Sequence, residues 1–304
     1  NAKLNQQAPP LILSSLDDWP DCNTVLIKLT KNLGYLEFQL QQIANLTEPV
    51  NVIATGKTTQ VTSKVLALFE AYLSEVTTSL AKKKSRLVFA THSGEQSLVR
   101  KQAHKSQFPS SFDWPERELT LHAHANVFSK DQVDIGGRFL ADNLPELKPG
   151  QHIIDLGCGN GLLGLCALQE AQQQGIDVNL SFFDESFMAV RSAELNVEHN
   201  VPELLSQCQF IQDDCLSGAD DKSADLILCN PPFHQQNTIT EHIAEQMFQD
   251  AHRVLRVGGQ LLVVANRHLP YQKALKKRFG GFKLAAQNNK FVIYSCQKKE
   301  ITCG

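Results

Sequence analysis

Short apolar runs alternate along the second half of the chain with longer segments in which apolar residues recur at helical spacing. The runs predict strands and the longer segments predict helices. The predicted strands cover 151–155, 178–183, 209–211, 225–229, 260–265, 282–285 and 291–296, and the predicted helices cover 162–174, 186–200, 239–255 and 271–279. Strands that alternate with helices are typical of a mainly parallel sheet covered on both faces. The last two strands have no helix between them, which predicts an antiparallel hairpin at the edge of the sheet.

Part of this pattern occurs a second time near the start of the chain. The stretch LAKKKSRLVFAT at 80–91 aligns without a gap on LAAQNNKFVIYS at 284–295. Before it come a predicted strand, helix and strand at 25–27, 33–43 and 50–54, in the same order as the elements from 226 to 265. A repeat of this kind indicates a duplicated domain, although α/β units in general share such a pattern.

The repeat predicts two domains. We expect a degenerate N-terminal copy at 1–103, a polar linker with two prolines at 104–116, and a catalytic domain at 117–304. The first copy matches only the second half of the other, since no glycine-rich turn precedes Val25; its first half is degenerate or lies upstream of this chain. It has Lys28-Leu29-Thr30-Lys31 where the second copy has Asn230-Pro231-Pro232-Phe233, so we expect chemistry in the second copy only.

Composition narrows the class of protein. The 304 residues carry a formal net charge of −3, so a nucleic-acid partner would require a local basic patch. The eight cysteines form no C-x-x-C pair and show no ligand spacing with histidine, which favours reduced thiols and no metal site. No apolar stretch reaches the length of a membrane span, and no signal peptide precedes Leu11. We therefore expect a cytoplasmic protein with no membrane segment.

A glycine-rich turn, Asp155-Leu156-Gly157-Cys158-Gly159-Asn160-Gly161, joins a predicted strand to the helix that follows it. Glycines let the backbone approach a ligand closely, and a helix N-terminus favours a polar or anionic group. The spacing Gly159-x-Gly161-x-x-Gly164 also fits the dinucleotide fingerprint. Asp155, which lies at the end of the predicted strand and two residues before the first glycine, argues against that alternative. A carboxylate pointing into the loop repels a pyrophosphate and suits the ammonium of a methionine moiety.

Acidic residues also end the next two predicted strands. Asp184 is placed to accept hydrogen bonds from ribose hydroxyls, with Glu185 as a possible substitute. Asp214 is placed to accept from an adenine amino group, with Asp213 as the alternative; we prefer Asp214 because it lies nearer the loop. One acidic strand end is commonplace. Three successive ones beside a glycine loop predict a pocket for S-adenosylmethionine.

The fourth strand ends abruptly on Asn230-Pro231-Pro232-Phe233, followed by His234. The Asn230 side-chain oxygen and the Pro231 carbonyl are both suited to accept hydrogen bonds from an exocyclic NH2, which would aim the nitrogen lone pair at a sulfonium methyl. The prolines stiffen the loop, and Phe233 is suited to stack on a planar base or amide. A strong general base is not required, so His234 is more readily a structural or RNA-contacting residue.

The motifs DLGCGNG and NPPF resemble those of class I methyltransferases that modify amino groups on planar systems. The stretches HANVFSKDQVDIGGRFL, DESFMAV, NPPFHQQ, VANRHL and NNKFVI are similar to those of bacterial ribosomal RNA guanine-N2 methyltransferases, the large-subunit type first and its small-subunit relatives next. The resemblance runs over the entire chain. It implies a class I, Rossmann-like sheet preceded by a partial copy of the same fold, and methylation of a guanosine in 23S RNA.

Carried over residue by residue, the resemblance implies a set of site residues. Cofactor contacts fall on Asp155, Gly157, Gly159, Asp184, Asp214 and Asn230. The catalytic grip on the guanine amine falls on Asn230, Pro231 and Phe233, and further substrate contacts fall on Pro232, Phe233, His234 and Lys290. Phe128-Ser129 and Asp134-Ile135-Gly136 resemble a segment whose backbone helps cover the methionine end, although Gly136-Gly137 departs slightly from the expected pattern.

The implied substrate is a guanosine flipped out of folded RNA, which requires a surface that holds the RNA. Lys82, Lys83 and Lys84 in the first copy offer a phosphate-binding patch, so we expect that copy to be an RNA platform within a monomer. Three alternatives remain: the same chemistry on small-subunit RNA, N5-methylation of a protein glutamine, and a non-catalytic RNA-binding assembly factor. Phe233 in place of a tyrosine disfavours the second, and the intact motifs disfavour the third.

Overall fold

The computed structural model describes residues 16, 19, 22–94, 108–232 and 238–300. The chain divides into two compact units, Asn1–Pro109 and Ser110–Gly304. Each unit has its own hydrophobic core and its own sheet. Among the described residues, no helix combines the length and the apolar character needed to cross a membrane.

Among its described residues, the N-terminal unit has a four-stranded sheet and two helices. Its elements are β1 (Thr24–Lys28), α1 (Leu33–Ala44), β2 (Val50–Lys57), α2 (Ser63–Tyr72), β3 (Ser74–Thr78) and β4 (Ser85–His92). The strand order is β1-β2-β4-β3, with β1 and β2 parallel and the other neighbours antiparallel. Leu40, Ile43 and Phe69 of the two helices pack on inward residues of β2 and β4 to form its core.

The C-terminal unit is built on a seven-stranded mixed sheet. Its elements are β5 (Ser110–Trp114), β6 (Leu119–Ala123), α3 (Ile135–Ala141), β7 (Gln151–Leu156), α4 (Leu162–Gln174), β8 (Val178–Asp184), α5 (Phe187–Asn200), β9 (Cys208–Gln212), β10 (Ala224–Cys229), α6 (Thr238–Val254), β11 (Leu255–Asn266), α7 (Tyr271–Phe279), β12 (Lys283–Gln287) and β13 (Phe291–Gln297). The order is β12-β13-β11-β10-β7-β8-β9, parallel except at β13. β5 and β6 form a separate hairpin.

The continuous apolar character of β10 follows from burial on both faces. Leu226 and Leu228 belong to the core beneath α3, α4 and α5, whereas Ile227 and Cys229 belong to the core beneath α6 and α7. All four side chains are fully buried. The parallel sheet predicted from the sequence is therefore sandwiched between two helical layers.

Helix α5 holds β6 in place with side chains spaced one helical turn apart. Asn200 and Asn196 accept hydrogen bonds from the backbone N–H groups of Thr120 and His122 in β6, and Ser192 accepts from that of His124, just after the strand. The two asparagines also donate to the carbonyls of His122 and Thr120. Four residues of helix advance about 6 Å and two residues of strand about 6.6 Å, so the spacing of the helix side chains closely matches the spacing of alternate strand residues. This ladder fixes the segment after β6, which contributes to the site.

The two units share one topology, as the repeat predicts. The succession β1-α1-β2-α2-β3-β4 matches β10-α6-β11-α7-β12-β13 in strand order and in strand direction. The gapless alignment of 80–91 on 284–295 is wrong at its start: β3 ends at Thr78, whereas Leu284 lies in β12. The connection between the last two strands is longer in the first unit, with Lys83 and Lys84 in left-handed backbone conformation.

The predicted linker at 104–116 differs from the structure at its C-terminal end. Residues 110–114 form β5, which pairs with β6 and buries Trp114 in the core of the C-terminal unit. Phe112, Trp114, Leu119 and Leu121 alternate with more exposed residues around a turn that contains Pro115, which is a hairpin pattern. The polar composition of 101–115 concealed this pattern.

Candidate active site

A cavity of about 460 Å³ opens at the carboxyl ends of β7, β8 and β10. Ligands of open α/β sheets bind at this edge. Phe183, Leu156 and Cys229 stand side by side in the sheet, so the residues that follow them, Asp184, Gly157 and Asn230, emerge at one rim. Residues expected from the sequence that line the cavity are Phe128, Ser129, Asp134, Asp155, Gly157, Gly159, Asp184, Glu185, Asp214, Asn230, Pro231 and Pro232.

The glycine turn presents its backbone to the cavity. Gly157 and Gly159 have φ of 70° and 56°, values that side-chain-bearing residues rarely adopt. The N–H groups of Gly157 and Cys158 both donate to the Phe183 carbonyl, at 2.8 and 2.9 Å, which ties the turn to β8. A Cβ built on Gly159 has no atom within 4 Å, so a ligand has room to approach the backbone there.

The side chain of Asp155 has surroundings different from the predicted ones, in which it points into the glycine loop. The residue lies within β7, paired with Phe182 and Leu228, and its side chain is 1 % exposed. Its Oδ2 accepts a hydrogen bond of 2.9 Å from the N–H of Gly164 in the first turn of α4. The carboxylate therefore braces the helix beneath the glycine turn while also lining the cavity. Burial raises its pKa to about 8; the Gly164 bond opposes this shift and the charge of Asp184 adds to it.

Asp184 ends β8 and supports the glycine turn from the other side. Its Oδ2 accepts from the Gly159 N–H at 3.0 Å and its Oδ1 accepts from the Ser186 N–H at 2.9 Å. Burial raises the pKa of this carboxyl, and the backbone N–H donors of Ser186, Gly159 and Glu185 oppose the shift. Each carboxylate oxygen keeps lone-pair capacity for a further donor from the cavity.

The two aspartates after β9 have different surroundings. Asp213 accepts from Ser217 Oγ at 2.5 Å and from the Gly218 N–H at 2.8 Å, so its carboxylate closes a local turn. Asp214 is exposed, lines the cavity and accepts one bond of 3.2 Å from Gln246. This geometry favours Asp214 as the residue that faces a ligand, in line with the preference from sequence.

Asn230 follows β10 with its two amide atoms in contrasting surroundings. Its Nδ2 donates to Asp134 Oδ2 at 2.9 Å. Its Oδ1 is buried and accepts no hydrogen bond from any residue that the structure describes. A buried acceptor without a donor costs about 1–3 kcal/mol, and such an atom in a native site calls for an explanation. A donor supplied by a ligand in the cavity provides one.

Other predicted residues lie further from the cavity or outside the described part. Phe233 and His234 fall outside the described residues. Ile135 and Gly136 do not line the cavity, whereas Gly137 does. Lys290 is also outside the lining; its Nζ lies 5.1 Å from the centre of the Phe291 ring, and a Cβ built on Gly136 would stand 3.2 Å from Cε1 of that ring. Among the described residues, His, Cys, Asp and Glu side chains form no cluster able to hold a metal ion.

Two family models match the chain over nearly all its length. The Methyltransferase small domain matches residues 118–295, and the RLMG N-terminal domain matches residues 1–94. The chain is 43% identical to the ribosomal RNA large subunit methyltransferase G of Pseudoalteromonas translucida, with 94% of this chain and 72% of that protein covered. The protein of the same name from Aeromonas hydrophila is 46% identical, with 94% and 73% covered. The chain belongs to this methyltransferase family.

A solved structure supports the fold of this family member. The 16S rRNA N2 methyltransferase RsmC of T. thermophilus, determined with AdoMet and guanosine, superposes with a TM-score of 0.74 at 21% identity, covering 91% of this chain and 73% of that one. The C-terminal unit has the class I methyltransferase fold, and the N-terminal unit is a partial copy of it. Both features agree with the prediction from the repeat and the motifs.

The methyltransferase cavity has an apolar wall that sequence reasoning missed. Phe183, Ile243 and Met247 line it together with Leu162 and Leu163 at the start of α4. These residues lie at strand ends and on helix faces, where their sequence pattern is the same as that of buried core residues. The sequence therefore did not distinguish them as part of a site. Asp134 was expected only as part of a covering segment, and its contact with Asn230, which is 96 residues away, had no signal in the sequence.

Proposed function

We propose that this chain transfers the methyl group of S-adenosylmethionine to the exocyclic N2 amine of a guanosine in large-subunit ribosomal RNA. The relatives that carry the name ribosomal RNA large subunit methyltransferase G support the RNA and its subunit. The RsmC structure in complex with AdoMet and guanosine supports the cofactor and the base. A ribosomal substrate further implies a cytoplasmic protein, and we expect the chain to act as a monomer.

The observation that carries this proposal is the unpartnered Oδ1 of Asn230. An exocyclic amine has two N–H donors, and conjugation with the planar base makes its nitrogen lone pair a weak nucleophile. An acceptor that holds one N–H, with the Pro231 carbonyl as the second acceptor, would turn the lone pair toward the methyl donor. The buried oxygen at the strand end lacks the partner that such an amine would supply.

The residues at the rim fit the cofactor class. Asp184 is positioned for the ribose hydroxyls, Asp214 for the adenine amino group, and the glycine turn for a close backbone approach. The apolar wall of Phe183, Ile243 and Met247 suits a flat purine. When bound, S-adenosylmethionine supplies an electrophilic methyl on a positively charged sulfur.

The chain contributes orientation and electrostatics to the reaction. Asn230 and Pro231 hold the amine, and the amine nitrogen loses its proton after alkylation makes it acidic, so no strong base is needed. Proline lacks the N–H that would tie Pro231 into the sheet ladder, which leaves this segment at the rim. The target base leaves its stack to enter the cavity, at a cost of a few kcal/mol met by other RNA contacts.

Basic residues on the protein surface are suited to those contacts. Lys82, Lys83 and Lys84 are exposed on the turn before β4. In the C-terminal unit, Lys273, Lys276 and Lys277 are exposed on α7. Lysines act as point charges for phosphates, so the patches are expected to position RNA without reading its sequence.

Methylation of ribosomal RNA from a strain that lacks the enzyme tests the proposal. The protein is incubated with labelled S-adenosylmethionine and separately with large-subunit RNA, small-subunit RNA and each assembled subunit, and the RNA is digested to nucleosides. We expect label in N2-methylguanosine from one position of the large-subunit RNA. Label in another nucleoside, in small-subunit RNA alone or in protein would contradict the proposal and point to one of the alternatives.

A further inference from the structure

We infer that Asp134 is the positioning residue that sets the orientation of the Asn230 amide, so that Oδ1 rather than Nδ2 faces the substrate amine. This inference rests on the proposed function. It concerns a residue before the sheet, in the segment that joins the β5–β6 hairpin to α3. Two hydrogen bonds that share one carboxylate oxygen of Asp134 support it.

The first bond fixes the carboxylate. Asp134 is the N-cap of α3, and its Oδ2 accepts from the Gly137 N–H at 2.6 Å. The backbone also closes the first turn, since the Arg138 N–H donates to the Asp134 carbonyl at 2.8 Å. Oδ2 is therefore held at a defined position by the helix start, before any contact with Asn230 is considered.

The second bond determines the amide. Asn230 Nδ2 donates to the same Oδ2 at 2.9 Å. An ionised carboxylate accepts hydrogen bonds only, so the amide must present its NH2 to Asp134. The other amide atom, Oδ1, is then directed away from Asp134 and is left without a donor among the described residues. A reversed amide would offer an N–H to the substrate amine, and two donors repel.

The glycines after Asp134 allow this approach. A Cβ on Gly136 would stand 3.2 Å from Asp134 Oδ2 and 3.6 Å from Asn230 Oδ1. A Cβ on Gly137 would stand 2.9 Å from Leu162 Cδ2 and 3.6 Å from Asn230 Nδ2. Side chains at these two positions would crowd the pair, which gives a physical reason for the Gly136-Gly137 sequence.

Two substitutions at Asp134 separate a positioning role from a capping role. Asp134→Ser keeps an N-cap oxygen for α3, but the shorter side chain does not extend to Asn230. Asp134→Asn keeps the length and an acceptor oxygen, which is able to serve both N–H donors. We expect Asp134→Ser to lower kcat tenfold or more, and Asp134→Asn to stay within about threefold of the wild type. The KM for S-adenosylmethionine and the thermal midpoint should change little in either variant.

The measurement is methyl transfer to large-subunit RNA at saturating S-adenosylmethionine and RNA, with the double variant Asp134→Ser/Asn230→Ala included. If Asp134 acts through Asn230, the double variant is no slower than Asn230→Ala alone. Full kcat in Asp134→Ser, an equal loss in Asp134→Asn, or additive losses in the double variant would overturn the inference. Absence of transfer by the wild-type protein would instead count against the proposed function.

Discussion

Each unit has an asparagine in the segment after the equivalent strand, four residues beyond β1 in one unit and directly after β10 in the other, and the two side chains are used in different ways. Asn32 follows β1, and its Oδ1 accepts from the Tyr35 N–H, which caps α1. Asn230 follows β10, and its Oδ1 has no donor among the described residues. The asparagine side-chain oxygen is thus satisfied by its own helix in the N-terminal unit and left without a donor among the described residues in the C-terminal unit.

The residues around the two asparagines explain the difference. After β1 the chain stays in the sheet: the Leu29 N–H donates to the Thr55 carbonyl at 2.8 Å, and Leu29 is buried in the core. After β10, Pro231 has no N–H to donate, so the ladder cannot extend in that way. One topology therefore supports a closed strand end in one unit and a reactive rim in the other. From this contrast we expect chemistry in the second unit alone.

The largest expected effect separates the two asparagines directly. Asn230→Ala removes the proposed acceptor and should lower the rate of methyl transfer by about 10²–10³-fold, as the loss of one preorganised catalytic hydrogen bond does. Affinity for S-adenosylmethionine, measured by calorimetry, should change by less than a few-fold. Asn32→Ala is the matched control: it should cost about 1 kcal/mol of stability through the lost cap and leave the rate unchanged. Equal rates in the two variants would contradict the account.

A second expectation concerns the cofactor, whose site we expect in the C-terminal unit. Asp184→Ala removes the carboxylate that holds the Gly159 N–H and that faces the expected ribose. We expect S-adenosylmethionine affinity to fall by about 10–100-fold, the range for a hydrogen bond to a charged group. Asp213→Ala, which removes a carboxylate engaged in its own turn, should leave the affinity unchanged. A larger loss in Asp213→Ala than in Asp184→Ala would reverse our assignment of these carboxylates.

The N-terminal unit is expected to contribute RNA binding instead of chemistry. Replacing Lys82, Lys83 and Lys84 with alanine should weaken RNA binding by up to about tenfold at moderate salt and reduce the slope of log affinity against log salt. A filter assay over several salt concentrations measures both quantities. Affinity for S-adenosylmethionine should stay the same. Unaltered RNA affinity would show that these three lysines do not form an RNA-binding platform.

The smallest expected effect is a pH dependence confined to the cofactor site. The pKa of Asp155 is raised to about 8 by burial, so below that pH the carboxyl is mostly protonated in the free protein. A bound ammonium would favour the ionised form. Binding would then release a proton, and affinity should rise with pH below about 8. Calorimetry between pH 5.5 and 7.5 measures this slope. Asp155→Asn should abolish it, and an unchanged slope in that variant would assign the proton to another group, such as Asp184.

Much of the fold was predictable because strands that are buried on both faces of the sheet consist of continuous apolar runs. Helices α4 and α7 begin and end at the predicted residues, since glycine or proline marks their ends. The β5–β6 hairpin was not predicted, because it is short and its surroundings are polar. The burial of the Asp155 side chain was also not predicted, because a buried carboxylate in a parallel strand contradicts the usual apolar pattern.

The site was predictable where function depends on strand ends and not where it depends on long-range contacts. Asp184, Asp214 and Asn230 follow apolar strands, and parallel topology brings such ends to one rim. Asp134 comes from a segment that the strand order does not place, so its bond to Asn230 required three-dimensional coordinates. Polar side chains that orient other side chains leave little periodic trace in a sequence.

The assignment of the guanine N2 amine as methyl acceptor is tested most directly by removing that amine from the substrate. Once the modified nucleotide is mapped, a large-subunit RNA with inosine at that position lacks only the exocyclic N2 amine. The account predicts that this RNA binds and competes with the natural substrate but accepts no methyl group at the mapped position. Methylation of the inosine RNA at that position and at the rate of the guanosine RNA would show that the amine held by Asn230 is not the acceptor.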